Sequence, residues 1–317
     1  MRIGIISSQR QPPDAFDWMR YHVDVGIDAF YIIFEDTPAL PELLQLHAKS
    51  LSDEKGRPIT LYTETRSVER STEDNYTDIL TRQSDWVDRM VTKARQEGVQ
   101  WVFHIDDDEI LYPGSKTARS TWPEVLAKVP ASCASIHLQN WEAFSPSQPK
   151  SSWLTDDGVR FLPQKCAHLF SAYGNGKSGS RTVQGQASHG VHHFQGGKEC
   201  ELSPDQGILG HFEALAMGPD DLPPQRWVEK YRLRAKDDMS RIPFEATHAA
   251  VAAVASGDAD VMAQTWEKYR SMDGGRFKAC SVPVKLSLPS HTYNDAPSFN
   301  ANSGAAPTSQ ERTAAPN

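Results

Sequence analysis

The sequence predicts an α/β protein built on a mainly parallel sheet with helices on both faces. Two observations carry that prediction. Over the N-terminal third, apolar runs of strand length alternate with segments of helical period, in the order β-α-β-α-β-α-β. The runs are continuous rather than alternating in polarity, as strands covered on both faces are. With 317 residues, 38% of them hydrophobic, the chain can bury one large domain and a helical appendage.

Arg2 to Ser8 is the first apolar run. Pro12 and Pro13 mark a loop, and Asp14 can cap a helix on which Phe16, Met19, Val23 and Ile27 recur, ending near Gly26. Ala29 to Phe34 is a second buried strand, Pro41 to Lys49 a second helix and Ile59 to Tyr62 a third strand. Tyr76 to Gln96 is a long amphipathic helix with Trp86, Val87 and Met90 inward, stopped at Gly98. Beyond Leu111 the expected elements are a short helix from Trp122, strands at Ala134–Leu138 and Phe161–Phe170, and helices at Pro223–Asp238, Phe244–Ala255 and Asp260–Ser271. Asn140 to Gly158, rich in Ser, Pro and Trp, has the composition of a loop over a site.

One stretch stands out chemically. Trp101-Val102-Phe103-His104-Ile105 reads as a buried strand that breaks into Asp106-Asp107-Asp108-Glu109 before Ile110 and Leu111 resume it. In an extended chain Asp106 and Asp108 point one way and Asp107 the other. Carboxylates so placed repel unless a positive charge sits between them, and a hard divalent cation, Mg²⁺ or Mn²⁺, suits oxygen ligands. The carboxyl edge of an α/β sheet is where such folds bind ligands. The plain alternative is an acidic turn with solvated carboxylates.

The formal net charge of −8 and the lack of a Lys/Arg run argue against nucleic acid as a partner. No apolar run is long enough to span a bilayer, and no signal-peptide pattern precedes the first strand. The widely spaced Cys133, Cys166, Cys200 and Cys280 lack a CxxC pair and are expected to be free thiols in a reducing cytoplasm, with a disulfide as the alternative.

The order of motifs resembles that of GT-A glycosyltransferases, family 2-like and family 92-like, including the small glycosyltransferase domains of large algal viruses. Phe16-Asp17-Trp18-Met19-Arg20-Tyr21-His22-Val23-Asp24-Val25-Gly26 is similar to their "EW..yH..lG" helix, and Trp101 to Leu111 to "W..fiDvDEfl", which holds the DxD motif. Gly176-Lys177-Ser178 with Arg181 resembles "GKS..R", and Gly190 to Phe194 resembles "GvH.f". Ile208 to Glu213 resembles "ilHye", with Gly210 an extra residue, and Trp227 with Lys230-Tyr231 the "W..Ky" helix. The resemblance covers residues 1–235; residues 236–288 would be a helical extension and 289–317 a disordered tail.

It implies a nucleotide-diphosphate sugar donor, UDP-linked, and a glycan or other hydroxyl acceptor. A Mn²⁺ or Mg²⁺ ion on Asp106 and Asp108 would neutralise the leaving diphosphate. His211 would be a third ligand. Asp36 matches the acid that contacts the nucleotide, Arg82-Gln83 matches "RQ" before the metal strand, and His193 is expected in the donor pocket.

A flexible Gly-rich loop carrying Lys177 and Arg181 over the diphosphate accounts for Gly174 to Gly179 better than a Walker A loop, because no helix start follows Ser178. His189, His192, His193 and His211 lack the paired spacing of a structural zinc site. Asp205 and Glu142 are candidates for the base of an inverting transfer, and Trp141 and Trp153 for stacking on a sugar. The rival readings are a metal-dependent nucleotidyltransferase and a non-catalytic carbohydrate-binding protein on the same fold.

Overall fold

The computed structural model describes residues 1–10, 12, 14–67, 76–114, 120–144, 154, 159–163, 166, 175–183, 186–212, 223, 225–236, 238–241, 245–271 and 282–283. Cys280, Trp153 and the 289–317 tail lie outside them. The compact unit runs from Met1 to Leu286.

The N-terminal third follows the expected alternation: β1 (Ile3–Gln9), α1 (Ala15–Asp24), β2 (Ala29–Glu35), α2 (Leu40–Lys55), β3 (Thr60–Arg66), α3 (Tyr76–Gln96) and β4 (Trp101–His104). Then come β5 (Glu109–Pro113), α4 (Trp122–Leu126), β6 (Ser135–Leu138), β7 (Asn140–Phe144), β8 (Arg160–Leu162) and β9 (Lys177–Arg181). Short strands follow, β10 (Ala187–His189), β11 (His193–Gln195), β12 (Glu199–Glu201) and β13 (Gly207–His211). The chain continues as α5 (Gln225–Arg234), α6 (Glu245–Ser256), α7 (Ala259–Ser271) and β14 (Val282–Pro283).

The larger sheet has seven strands in the order β12-β6-β9-β4-β1-β2-β3. β1 lies parallel to both β2 and β4, β2 is parallel to β3, and β9 runs antiparallel between β4 and β6. The two faces of β2 show why its sequence is apolar throughout. Phe30 meets Trp18 of α1, whereas Tyr31 and Ile33 join Trp86, Val87, Met90 and Val91 of α3. Successive residues point to opposite faces, and here a helix covers each.

A second sheet, in the order β14-β8-β7-β13-β5, has five strands and was not foreseen. Trp101 to Leu111 is therefore not one strand with an acidic tip. β4 belongs to the first sheet and β5 to the second, and residues 105–108 make the turn between them. Glu109 donates its backbone N–H to the Asp106 carbonyl at 3.3 Å across that turn. The chain is not extended there, so Asp106 and Asp108 do not share a side by simple alternation.

Trp227 and Tyr231 of α5 pack with Ala250 of α6 and Trp266 of α7 in a separate core. The free-thiol expectation is corrected: Cys133 and Cys200 form a disulfide, Cα–Cα 5.7 Å, and Cys166 is disulfide-bonded as well. The parallel pairing of β12 with β6, Cys200 opposite Ile136, brings together cysteines 67 residues apart. No helix among the described residues is long and apolar enough to cross a membrane.

Candidate active site

The acidic turn is held from below by α1. Trp18 donates its indole N–H to the Glu109 carbonyl at 2.7 Å, and Tyr21 its hydroxyl to the Leu111 carbonyl at 3.4 Å. The Leu111 N–H donates to His22 Nε2 at 3.2 Å, while His22 Nδ1 meets the Trp18 carbonyl at 2.8 Å. One neutral tautomer satisfies both ring nitrogens. Burial lowers the His22 pKa to about 3, which keeps that tautomer in place. Trp122 of α4 adds an N–H to the Leu111 carbonyl at 3.1 Å. The aromatic–His motif of α1 thus fixes where β5 begins.

Above this platform the charges are tightly balanced. Lys177 Nζ lies 2.8 Å from Asp106 Oδ2 and 3.7 Å from Glu109 Oε2, with its side chain only 1% exposed. Gln83 Nε2 donates to Asp106 Oδ1 at 3.3 Å, and the Asp106 N–H donates to Glu109 Oε2 at 2.8 Å. Burial works to raise the Asp106 pKa, but Lys177 and then His104 outweigh it and hold the carboxyl well below its usual range. Glu109 is buried completely, and burial, opposed by Lys177 and reinforced by Asp106, pushes it up to about 8. The turn therefore carries one acid held ionised by Lys177 beside one that burial and its acidic neighbour push towards its protonated form.

The second half of the site crosses to the other sheet. His211, the last residue of β13, sits opposite Glu109 of β5 and beside Glu142 of β7. Its Nδ1 is 2.9 and 2.8 Å from the two oxygens of Glu142, which is fully buried. Its Nε2 faces Asp108 Oδ2 at 3.8 Å, beyond hydrogen-bond range. The Phe212 N–H donates to the Asp108 carbonyl at 2.7 Å and ties the two segments. Burial works to lower the His211 pKa, but Glu142, then Asp108 and Glu109, raise it to about 9. An oxygen and an imidazole nitrogen facing each other, the ring oriented from behind by a carboxylate, make a donor set suited to a Mn²⁺-like ion.

At the rim, Arg82 reaches Glu35 at 3.4 Å, and Arg10 bridges Asp36 at 3.4 Å and Glu229 of α5 at 3.2 Å. Asp36, just past β2, has φ +50°, the one positive φ outside glycine among the described residues. Such a backbone persists only where its surroundings enforce it.

The structure thus brings together Asp106, Asp108, His211, Lys177, Gln83 and Glu142, and it places Asp36 just past the end of β2 and Arg82 on α3, facing Glu35 of that strand. Four expectations change. Lys177 and Arg181 lie on the strand β9, not on a flexible loop. Arg181 stands opposite Trp101, at the far end of β4 from the acids, with its guanidinium 4.5 Å from that ring and its Nε donating to the Cys133 carbonyl at 3.0 Å. Glu142 is on a buried strand rather than in a loop, with both oxygens on His211. Asp205 is exposed in the turn before β13, next to the Pro113–Gly114 end of β5, while His211 is at the other end of the ladder.

His193 packs on His137 and Glu199, and its neighbour His192 is the residue near enough to Lys177 and Asp106 to feel their charge. His104 and Lys230 were not singled out from the sequence, and His192 was weighed there only as part of a zinc set. Lys230 lies near Asp108, Asp106 and Glu142, and burial lowers its pKa against their pull. The only signal for Lys230 was its place in the "W..Ky" segment.

No protein-family model matches the chain. It is 22% identical over 205 residues to one glycosyltransferase-like protein of Arabidopsis thaliana, covering 56% of this chain and 45% of the relative. A second glycosyltransferase-like protein of that plant is 23% identical over 229 residues, covering 62% and 43%. The chain thus spans less than half the length of these curated relatives.

Among solved structures, a glycosyltransferase involved in the glycosylation of the major capsid of PBCV-1 aligns at 16% identity with a TM-score of 0.22, covering 52% of this chain and 61% of its own. HddC from Yersinia pseudotuberculosis aligns at 7% identity with a TM-score of 0.26, covering 69% and 81%. By sequence, the chain is similar to glycosyltransferase-like proteins.

Proposed function

We propose that the chain is a metal-dependent glycosyltransferase of GT-A type, moving a sugar from a nucleotide-diphosphate donor, UDP-linked, to a hydroxyl acceptor. The observation that carries this reading is the pair Asp108 Oδ2 and His211 Nε2, facing at 3.8 Å with Glu142 behind the imidazole. The order of β-α units up to the acidic turn and the likeness to glycosyltransferase-like proteins support it too.

Asp106, Asp108 and His211 are the residues that would hold Mn²⁺ or Mg²⁺. Once bound, the ion neutralises the diphosphate as the glycosidic C–O bond breaks. Lys177 balances Asp106 and Gln83 fixes its carboxylate plane. Glu142 orients His211, and because it is fully buried with both oxygens on that ring it is not assigned to the acceptor hydroxyl. Asp36 and Arg82 take the nucleotide side. The disulfides favour maturation in an oxidising compartment over the cytoplasm.

Asp108→Ala should abolish transfer and Mn²⁺-dependent UDP binding while the circular dichroism spectrum and unfolding transition stay in place. Unchanged turnover in that variant refutes the reading. Release of pyrophosphate instead of nucleoside diphosphate would point to nucleotidyl transfer.

A further inference from the structure

Away from the acidic turn, three strands bring side chains of metal-binding type to one place. His137 of β6, His193 of β11 and Glu199 of β12 each offer a ligand atom, and those atoms all lie within 4.8 Å of one another. None of the three belongs to the Asp106–Asp108–His211 set. Their convergence follows from the sheet. β12 pairs in parallel with β6, which sets Glu201 opposite His137 and Glu199 two residues back on the same edge. The β10–β11 hairpin brings His193 against His137 with the rings stacked, centroids 4.9 Å apart and planes 17° apart.

The geometry points to a transition-metal site, of the Zn²⁺ class, held by His137, His193 and Glu199. Each ligand is already oriented by a neighbour. Ser178 of β9, directly opposite His137, donates to Glu199 Oε1 at 2.7 Å and sits 3.2 Å from His137 Nδ1. His193 Nδ1 is 3.1 Å from Glu199 Oε2. His137 also makes a hydrogen bond to the Asn175 backbone, the kind of outer contact that fixes the ring of a ligating histidine.

Two imidazoles with one carboxylate suit Zn²⁺ and its neighbours rather than Mg²⁺ or Ca²⁺, which favour oxygen. Glu199 is exposed and both histidines are half-buried, so water has room to complete the coordination. Linear spacing hid this site because His137 of β6 lies far before His193 and Glu199 in the chain.

The site has a structural consequence for the acidic turn. The Cys133–Cys200 disulfide fixes β12 beside β6, one residue from Glu199. A metal on His193 fixes the hairpin at its turn residue His192, whose Nδ1 lies 3.0 Å from the carbonyl of Gly176, the residue before Lys177. This inference does not depend on the glycosyl-transfer reading.

The test uses full-length untagged protein stripped with a chelator, in an Asp108→Ala background so that the acidic turn does not contribute. Zn²⁺ is titrated by calorimetry and Co²⁺ by its visible absorption. One equivalent should bind, with the ligand-field bands of a nitrogen–oxygen site. Adding His193→Ala or His137→Asn should weaken binding at least about a hundredfold and remove the bands, and Glu199→Gln should weaken it about tenfold. His193 is 39% exposed on its side chain, so its replacement leaves the core intact. If Asp108→Ala protein binds neither metal saturably, or if His193→Ala binds both as well as its parent, the site does not exist. The same titration on His211→Ala protein guards against a folding defect in the background and must give the same dependence on His193.

Discussion

Glu142 offers a decisive perturbation, because its two oxygens touch one partner and the partner's other nitrogen faces Asp108. Glu142→Gln keeps the shape and an acceptor for the His211 Nδ1–H but removes the charge. Glu142→Ala removes both. The lost interaction is a buried charge-assisted hydrogen bond with the nitrogen 2.8 and 2.9 Å from the two oxygens, worth about 1.5–3 kcal/mol. Orienting partners of metal-ligating histidines contribute about ten- to a hundredfold in metal affinity. Mn²⁺-dependent UDP binding, followed by calorimetry, should therefore weaken about tenfold in Glu142→Gln and about a hundredfold or more in Glu142→Ala. His211 should also lose its raised pKa in both, visible in the imidazole resonances on pH titration of the metal-free protein. If both variants bind Mn²⁺ and UDP as the native protein does, Glu142 does not act through His211. If binding survives in Glu142→Ala and transfer alone is lost, Glu142 is the acceptor's base and the orienting role fails.

Two further outcomes test the platform and the reassigned arginine. The folded pKa of His22, about 3, lies below the unfolded value of about 6.5, so the unfolded chain binds more protons between those limits. Stability through this residue is complete above pH 6.5 and falls as pH drops, by about 1.4 kcal/mol per unit, or about 2 kcal/mol between pH 7 and pH 5. Urea unfolding of the native protein and of His22→Gln across that range should show a slope smaller by that amount in the variant; equal slopes would falsify the assignment. Arg181→Ala should cost about 2–3 kcal/mol from its carbonyl hydrogen bonds and its contact with Trp101, yet leave the UDP dissociation constant within about twofold. Weakened UDP binding beyond that would return Arg181 to the donor site.

The parts of the molecule legible in its sequence are those set by continuous burial. β1, β2 and β4 are apolar on both faces, and the helices between them have a clear period, so the parallel half reads directly. β9 does not, because Lys177-Ser178-Gly179-Ser180-Arg181 has the composition of a loop. It is a central strand because each polar group finds a partner: Lys177 on Asp106, Ser178 on Glu199, Ser180 on Gln186 and Arg181 on the Cys133 carbonyl. Gly179 is needed there, since a β-carbon would stand 2.5 Å from the Phe103 ring.

The second sheet was hidden for another reason. Its strands are two to five residues long, too short for a periodicity, and its pairings join distant segments. Of the candidate site, the acids were marked by chemistry in the sequence, and His211 only by the resemblance of its segment. The partner that orients His211 was visible only once β7 and β13 were side by side.

The residues between β4 and β5 are an elbow where one sheet passes the chain to the other. Asp106 is anchored to the first sheet through Lys177, and Asp108 to the second through the Phe212 N–H. The gap between the two carboxylates is therefore geared to the angle between the sheets. Substitutions that let one sheet swing on the other, such as a smaller residue at Trp122, which packs between Phe103 of β4 and Gly207 of β13, would retune the gap without touching an acid.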